Sequence, residues 1–285
     1  MNRLSQPERA IALRCLTNGM SVRATSRVSG VSKGAVLRLL AEAGEFCTAY
    51  HCLRMRNLPT ARVEADEQWS FCGTKQKNAI LPGHGDLWTF AALDADTKLV
   101  ISYLVGARNT ENTYAFIEDL AGRVRGRIQL TTDGWAAYVG AVRYAFGFGR
   151  CDFAQLVKQY ASPQDIEGQR RYSPPLCTGA IKIRMIGRPE IGKVSTSYIE
   201  NLNLNTRQHC KRFARLTIAH SRKAENHAHA VALNFFAHNF IRVHSTLTSE
   251  RKVKTTPAMA SGLTDRPWTV DDLLTLMDPE AVTIK

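Results

Sequence analysis

Three acidic residues in three different settings carry the chemistry this chain could do: Asp66, Asp133 and Glu200. Asp66 lies in Arg62-Val63-Glu64-Ala65-Asp66-Glu67-Gln68-Trp69-Ser70-Phe71, where residues alternate as they do in a strand. Asp133 closes the run Ile128-Gln129-Leu130-Thr131-Thr132-Asp133, with Gly134-Trp135 next. Glu200 opens a helical pattern from Tyr198 to His209. A charge inside or at the end of an apolar strand is costly unless a cation compensates it. Hard divalent cations take carboxylates together with water and substrate phosphate. Two such ions can clamp the attacking and leaving oxygens of a phosphodiester. Mg²⁺, or Mn²⁺ in its place, is the expected cofactor, with phosphodiester cleavage the expected chemistry.

Composition points to the same substrate. The 285 residues carry 38 Lys plus Arg against 25 Asp plus Glu, a net charge of +13. Such a surplus favours a polyanion, because Lys and Arg displace counterions from phosphates. Seven scattered cysteines without a C-x-x-C pair predict reduced thiols and neither a disulfide framework nor a structural zinc site. No run approaches the roughly 18 apolar residues of a membrane span, so the expectation is a cytoplasmic, nucleoid-associated protein with no membrane partner.

The elements that must position the acids follow from periodicity. Residues 1–44 read as three short helices, with Ser21 and Ser32 as caps, a turn at Gly30 and an end at Gly44. Helix, glycine turn, helix is the helix-turn-helix pattern, whose last helix can enter the major groove. Lys33 and Arg38 are then candidates for DNA contact. Residues 45–61 read as a basic linker. Strands are predicted over 61–73, 88–93 and 99–105, then a helix from Thr110 and the strand that ends in Asp133. Three strands, a helix and a fourth strand is the opening order of an RNase H-like fold, in which the first and fourth strands bring their acids together. Helices are predicted from Tyr138 to Phe146, from Ser195 or Ser197 onward, and from Lys223 to Val243, with Val243 in register. Between Phe148 and Lys193 the pattern is weak. Phe153 to Val157 reads as a strand, and Pro174-Pro175 marks a loop.

The motifs around Asp66 (Val63 to Trp69), Asp133 (Thr131 to Trp135) and Glu200 (Tyr198 to Leu204, then Arg207-Gln208-His209) resemble those of the DDE transposases of bacterial insertion sequences, in particular the family named for insertion sequence one. The resemblance spans roughly residues 60–245. It implies an α/β, RNase H-like catalytic domain over 62–245, a mixed sheet flanked by helices. A small all-α helix-turn-helix domain at 1–44 and a tail with a short helix at 246–285 complete the expected chain. It further implies that Asp66, Asp133 and Glu200 form a catalytic triad holding two Mg²⁺, and that Arg207 positions DNA. The implied partners are double-stranded DNA, as terminal inverted repeats and target, and further copies of the chain in a synaptic complex. A zinc finger often found in such proteins is missing from the N-terminal sequence, which leaves end recognition to the helix-turn-helix.

Other residues divide by context. Glu64 and Glu67, flanking Asp66, are expected at the surface, and Asp94 and Asp96 in a turn. Trp69 and Trp135 are expected as core fillers. His209 is a candidate to approach the scissile phosphate, and Arg242 to His244 to touch the DNA backbone. Two rival readings are a non-catalytic helix-turn-helix regulator and another RNase H-like nuclease, such as a junction resolvase.

Overall fold

The alternating segment around Asp66 forms β1 (Arg62–Cys72), a central strand. In the computed structural model, which describes residues 4–160, 177–214 and 217–278, β1 pairs antiparallel with β2 (Gly85–Asp94), and β2 with β3 (Val100–Gly106). Asp94 fixes the β2–β3 turn by accepting the N–H of Asp96 at 2.8 Å and of Thr97 at 3.1 Å, the turn role expected of Asp. Helix α4 (Thr110–Arg123) crosses to β4 (Ile128–Thr132), which runs parallel to β1. Helix α5 (Ala137–Phe146) leads to β5 (Cys151–Tyr160), parallel to β4, and β6 (Cys177–Ile186) returns antiparallel. The strand order β3-β2-β1-β4-β5-β6 is an antiparallel meander followed by parallel strands reached through helices. This is the RNase H-like arrangement. The weakly patterned stretch thus holds the antiparallel strands β5 and β6, whereas the loop expected at Pro174-Pro175 lies outside the described residues.

Even-numbered side chains of β1 face α6 (Ser197–His209) and α7 (Ala224–Phe236): Gln68 Nε2 donates to the Asn203 carbonyl at 3.0 Å, and Ser70 meets His227. Helix α7 continues into a π-helical turn, Ala237–Ile241. That turn presents the Asn239 amide to both backbone groups of Val100, at 2.9 and 3.0 Å, which satisfies part of the exposed edge of β3. Val243 falls beyond this turn and is exposed, contrary to its expected place in the helical stripe.

At the N-terminus, α1 (Gln6–Thr17) and α2 (Val22–Ser29) precede α3 (Lys33–Arg54). Ser21 and Ser32 cap α2 and α3 as expected, and Gly30 ends α2 at φ 74°. The expected stop at Gly44 is corrected, for α3 runs through it to Arg54 and takes up most of the predicted linker. Gly44 is where α3 crosses α7, and a Cβ there would lie 2.4 Å from the Cβ of His229. The C-terminal segment holds three short helices where one was predicted: α8 (Ser245–Arg251), α9 (Pro257–Ala260) and α10 (Val270–Met277). Helix α10 packs on α1 through the pairs Arg14–Asp271 and Arg9–Asp278. All seven cysteines are free, and no described helix is long and apolar enough to cross a membrane.

Candidate active site

Strands β1 and β4 pair at a constant offset, from Arg62 with Gln129 to Glu64 with Thr131, and there the pairing stops. At that same offset Asp66 and Asp133 stand level, just where the strands are no longer bonded. Oxygens of Asp66, Asp133 and Glu67 all lie within 4.8 Å of one another. Glu67 leaves β1 on the face opposite to Asp66, and the parted strands let carboxylates from both faces meet.

Burial pushes the Asp66 carboxyl up to about 7, and the charges of Glu67 and Asp133 add to the effect. Burial and then Asp133 push Glu67 up to about 7 as well. Both causes disfavour the ionised form, the first by desolvation and the second by like-charge repulsion. The buried Glu67 carboxylate lies beside the Tyr138 hydroxyl, which partly offsets its raised pKa. Three carboxylates brought this close, two of them raised in pKa, form a donor set that a cation would stabilise. Three hard oxygen donors fit a divalent cation such as Mg²⁺.

One cation already leans on this cluster. Arg108, between β3 and α4, places its guanidinium 3.2 Å from both Glu67 and Asp133. The rings of Trp135 and Trp88 flank it, with centroids at 4.3 and 5.2 Å. Such contacts are worth about 0.5–2 kcal/mol each, enough to favour one position for the guanidinium. Trp135, half-buried and packed against the core as expected, is also a wall of the site.

Glu200 enters from α6. Its Oε1 is 2.6 Å from Lys158 Nζ on β5 and accepts from the Thr196 hydroxyl. Its charge contributes to the raised pKa of Asp66, yet its oxygens stand outside the close group of three. Asn203, one turn along, donates to Asp66 Oδ2 at 2.8 Å. The start of α6 is held by Glu64, whose Oε2 accepts the N–H groups of Tyr198 (2.8 Å) and Ile199 (3.0 Å). A carboxylate there satisfies donors that a helix leaves open and complements its dipole. Two expectations are corrected here. Glu64 and Glu67 are buried at 3% and 8% exposure, one as a helix cap and the other in the acidic cluster. Neither Ser195 nor Ser197 caps α6, which starts after Thr196.

The candidate DNA contacts are dispersed. Lys33 and Arg38 are exposed on α3. Arg207 and His209 are half-buried on α6, and His209 Nδ1 meets the Asn205 carbonyl at 2.9 Å. Burial, with Arg242 nearby, lowers the His209 pKa. Arg242 is not a free backbone contact. It donates to the carbonyls of Asn234 and Thr17, at 3.3 and 2.5 Å, and so fastens α1 to the end of α7. The structure thus gathers Asp66, Asp133 and Glu200 about one sheet gap. It adds Glu67, Arg108 and Asn203, of which only Asn203 had a sequence signal, its place one helical turn beyond Glu200.

No protein-family model matches the chain. The insertion element iso-IS1n protein InsB of Shigella dysenteriae is 27% identical over 177 residues, covering 62% of this chain and 95% of that protein. Two solved structures align over 54% of this chain at 14% identity: the Mos1 strand transfer complex (60% of that chain, TM-score 0.24) and a pre-cleavage Mos1 transpososome (61%, TM-score 0.22). This chain therefore spans about three fifths of the Mos1 chain, and likenesses so slight carry no argument about it. The InsB match and the three acidic motifs point the same way: the chain resembles the transposases of bacterial insertion sequences, of the insertion-sequence-one type.

Proposed function

We propose that this chain is a transposase that cuts DNA at the ends of a mobile element and joins the freed end to target DNA. The observation that carries this reading is the meeting of Asp66, Asp133 and Glu67 at the gap between β1 and β4, with Glu200 alongside. Acidic residues concentrated at one point of a protein of net charge +13 suit a substrate whose phosphates need both a cation to bridge them and a basic surface to hold them.

Asp66, Asp133 and Glu200 would hold the metal, with Glu67 as a further donor. Mg²⁺ bound there supplies positive charge to the phosphoryl oxygens and to the attacking and leaving oxygens. In the first step water adds to phosphorus, the P–O3′ bond at the element end breaks, and the departing oxygen takes a proton to become a 3′-hydroxyl. In the second, that hydroxyl attacks a target phosphorus and loses its proton, and the target's own 3′-oxygen leaves. The chain's residues hold and orient these groups. Asn203 fixes Asp66, Glu64 fixes the start of α6, and Arg108 balances the charge of Glu67 and Asp133. Lys33 and Arg38 would contact the element's terminal repeat through the helix-turn-helix, with Arg207 and His209 nearer the cut. Two ends must be brought together, so the working form would be an oligomer on double-stranded DNA.

The test is incubation of the protein with labelled element ends and a target plasmid, with Mg²⁺ and with chelator. The expected result is metal-dependent nicking and joined products, reduced by on the order of 10²–10³ in Asp133→Asn. Full joining by Asp133→Asn would overturn the assignment. Binding without cleavage in all conditions would favour a DNA-binding regulator, and cleavage of branched DNA without joining would favour a resolvase.

A further inference from the structure

At the end of α6 remote from Glu200, a cleft of about 770 Å³ opens between the helix-turn-helix and the α6–α7 junction. Its rim carries Arg23 and Arg27 of α2, Lys33 at the start of α3, and Lys211, Arg222 and Lys223. All six are exposed, and no Asp or Glu is among the described residues lining the cleft. Like charges gathered around one cavity repel each other, and only an anion with several charges relieves them together. The floor is different in kind. Leu37, Leu40 and Leu233 form an apolar base that phosphate alone would not use.

Size narrows the occupant. A cavity of this volume is in the range of small-molecule sites, about 300–1,000 Å³, too small for a duplex and suited to one or two nucleotides. On one wall the His220 ring stacks on Phe71, with centroids 4.8 Å apart and planes at 27°. An aromatic surface beside a basic rim is the combination that binds single strands, with bases stacked and phosphates paired. Glu200 and His209 belong to one helix and are about 14 Å apart along its axis at 1.5 Å per residue. A strand seated in the cleft can therefore reach the carboxylates within a few nucleotides.

We propose that this cleft binds an unpaired segment of DNA, one or two nucleotides long, with its phosphates on the basic rim and a base on the leucine floor beside His220. The proposal rests on the transposase reading for its place in the reaction, in which the segment belongs to the strand being cut. Binding itself requires no catalysis.

The test is fluorescence anisotropy in chelator, using the full chain and three labelled DNAs: a blunt duplex, the same duplex with a short single-stranded overhang, and the single strand alone. The overhang should bind several-fold more tightly than the blunt duplex. Arg23→Glu combined with Lys223→Glu should cost tenfold or more on the overhang and single strand, and less than about threefold on the blunt duplex. Leu37→Asp, with folding checked by circular dichroism, should abolish the preference for the overhang. Equal weakening on all three DNAs would reduce the cleft to general positive surface and overturn the proposal, as would no preference for the overhang in the unaltered protein. A Mg²⁺ cleavage assay on the same DNAs separates the two readings. Overhang preference without any cleavage leaves the cleft and removes the transposase, whereas cleavage without the preference does the reverse.

Discussion

Asn203 donates its Nδ2–H to Asp66 Oδ2 at 2.8 Å, so the helix that carries Glu200 is tied by a side chain to the strand that carries Asp66. The Gln68 amide makes a second tie, to the backbone carbonyl of Asn203. Two acids from elements far apart in the chain are held in register through one asparagine. Asn203→Ala removes a hydrogen bond to a charged group, an interaction worth about 1.5–3 kcal/mol. It also removes a donor that favours ionised Asp66. We expect a fall of about tenfold or more in cleavage rate and an activity profile displaced to higher pH. A lower rate with an unmoved pH profile would show that Asn203 acts only through packing.

The raised pKa values of Asp66 and Glu67, both about 7, set the sign of the pH dependence. Their unfolded values lie near 4, so from pH 4 to 7 the folded state holds protons that the unfolded chain has lost. Stability of the metal-free protein is therefore present at low pH and is lost as pH rises through 7. The loss should be on the order of 3–4 kcal/mol for each carboxyl taken alone. Thermal melts in chelator should show a lower Tm at pH 8 than at pH 6. Mg²⁺ should raise Tm more at pH 8, because the carboxylates must release protons to bind it. A metal-free Tm that rises from pH 6 to pH 8 would contradict the acidic cluster as described.

Arg108 competes with any metal for Glu67 and Asp133, since its guanidinium lies 3.2 Å from both. Arg108→Ala should lower the metal-free Tm at pH 8 by leaving two carboxylates without a counter-charge. It should also tighten Mn²⁺ binding several-fold in calorimetry at the same pH. Weaker binding would mean that Arg108 shapes the site for the metal rather than standing in its place.

Gly44→Ala pits two effects against each other. Alanine gains about 1 kcal/mol of helix propensity over glycine, yet its Cβ would fall 2.4 Å from the Cβ and 2.5 Å from the Cα of His229. The second contact is with backbone, which cannot rotate away, and overpacking of this kind costs about 1–3 kcal/mol. The steric term should win, lowering the urea midpoint. A midpoint that rises would show that α3 and α7 can separate at little cost.

The parts of this molecule legible in sequence are those governed by local rules. Alternation marked β1, the caps Ser21 and Ser32 marked their helices, and the order of strands and helices matched the RNase H-like sheet. What stayed hidden depends on contacts between distant segments. Gly44 reads as a helix stop by propensity, but serves as the close crossing point with α7. Glu67 reads as a surface residue because strand alternation turns it away from Asp66. Only the parting of β1 from β4 beyond Glu64 and Thr131 brings it to the cluster. Glu64 caps a helix that begins more than a hundred residues later, a relationship no window along the chain contains. Arg108 had no pattern at all, only its place after β3.

The turn between α1 and α2 rests on the end of α6: a Cβ on Gly19, whose φ is 80°, would lie 2.2 Å from the Gln208 carbonyl oxygen. The Arg242 guanidinium adds a bond to Thr17 just before that turn. Helix α6 is thus a rod with the N-terminal helices seated at one end and Glu200 near the other. In the proposed reaction it acts as a ruler, setting how far from the recognised base pairs the strand is cut. Lengthening the rod by one helical turn, about 5.4 Å, would move the cut along the DNA rather than merely weaken it.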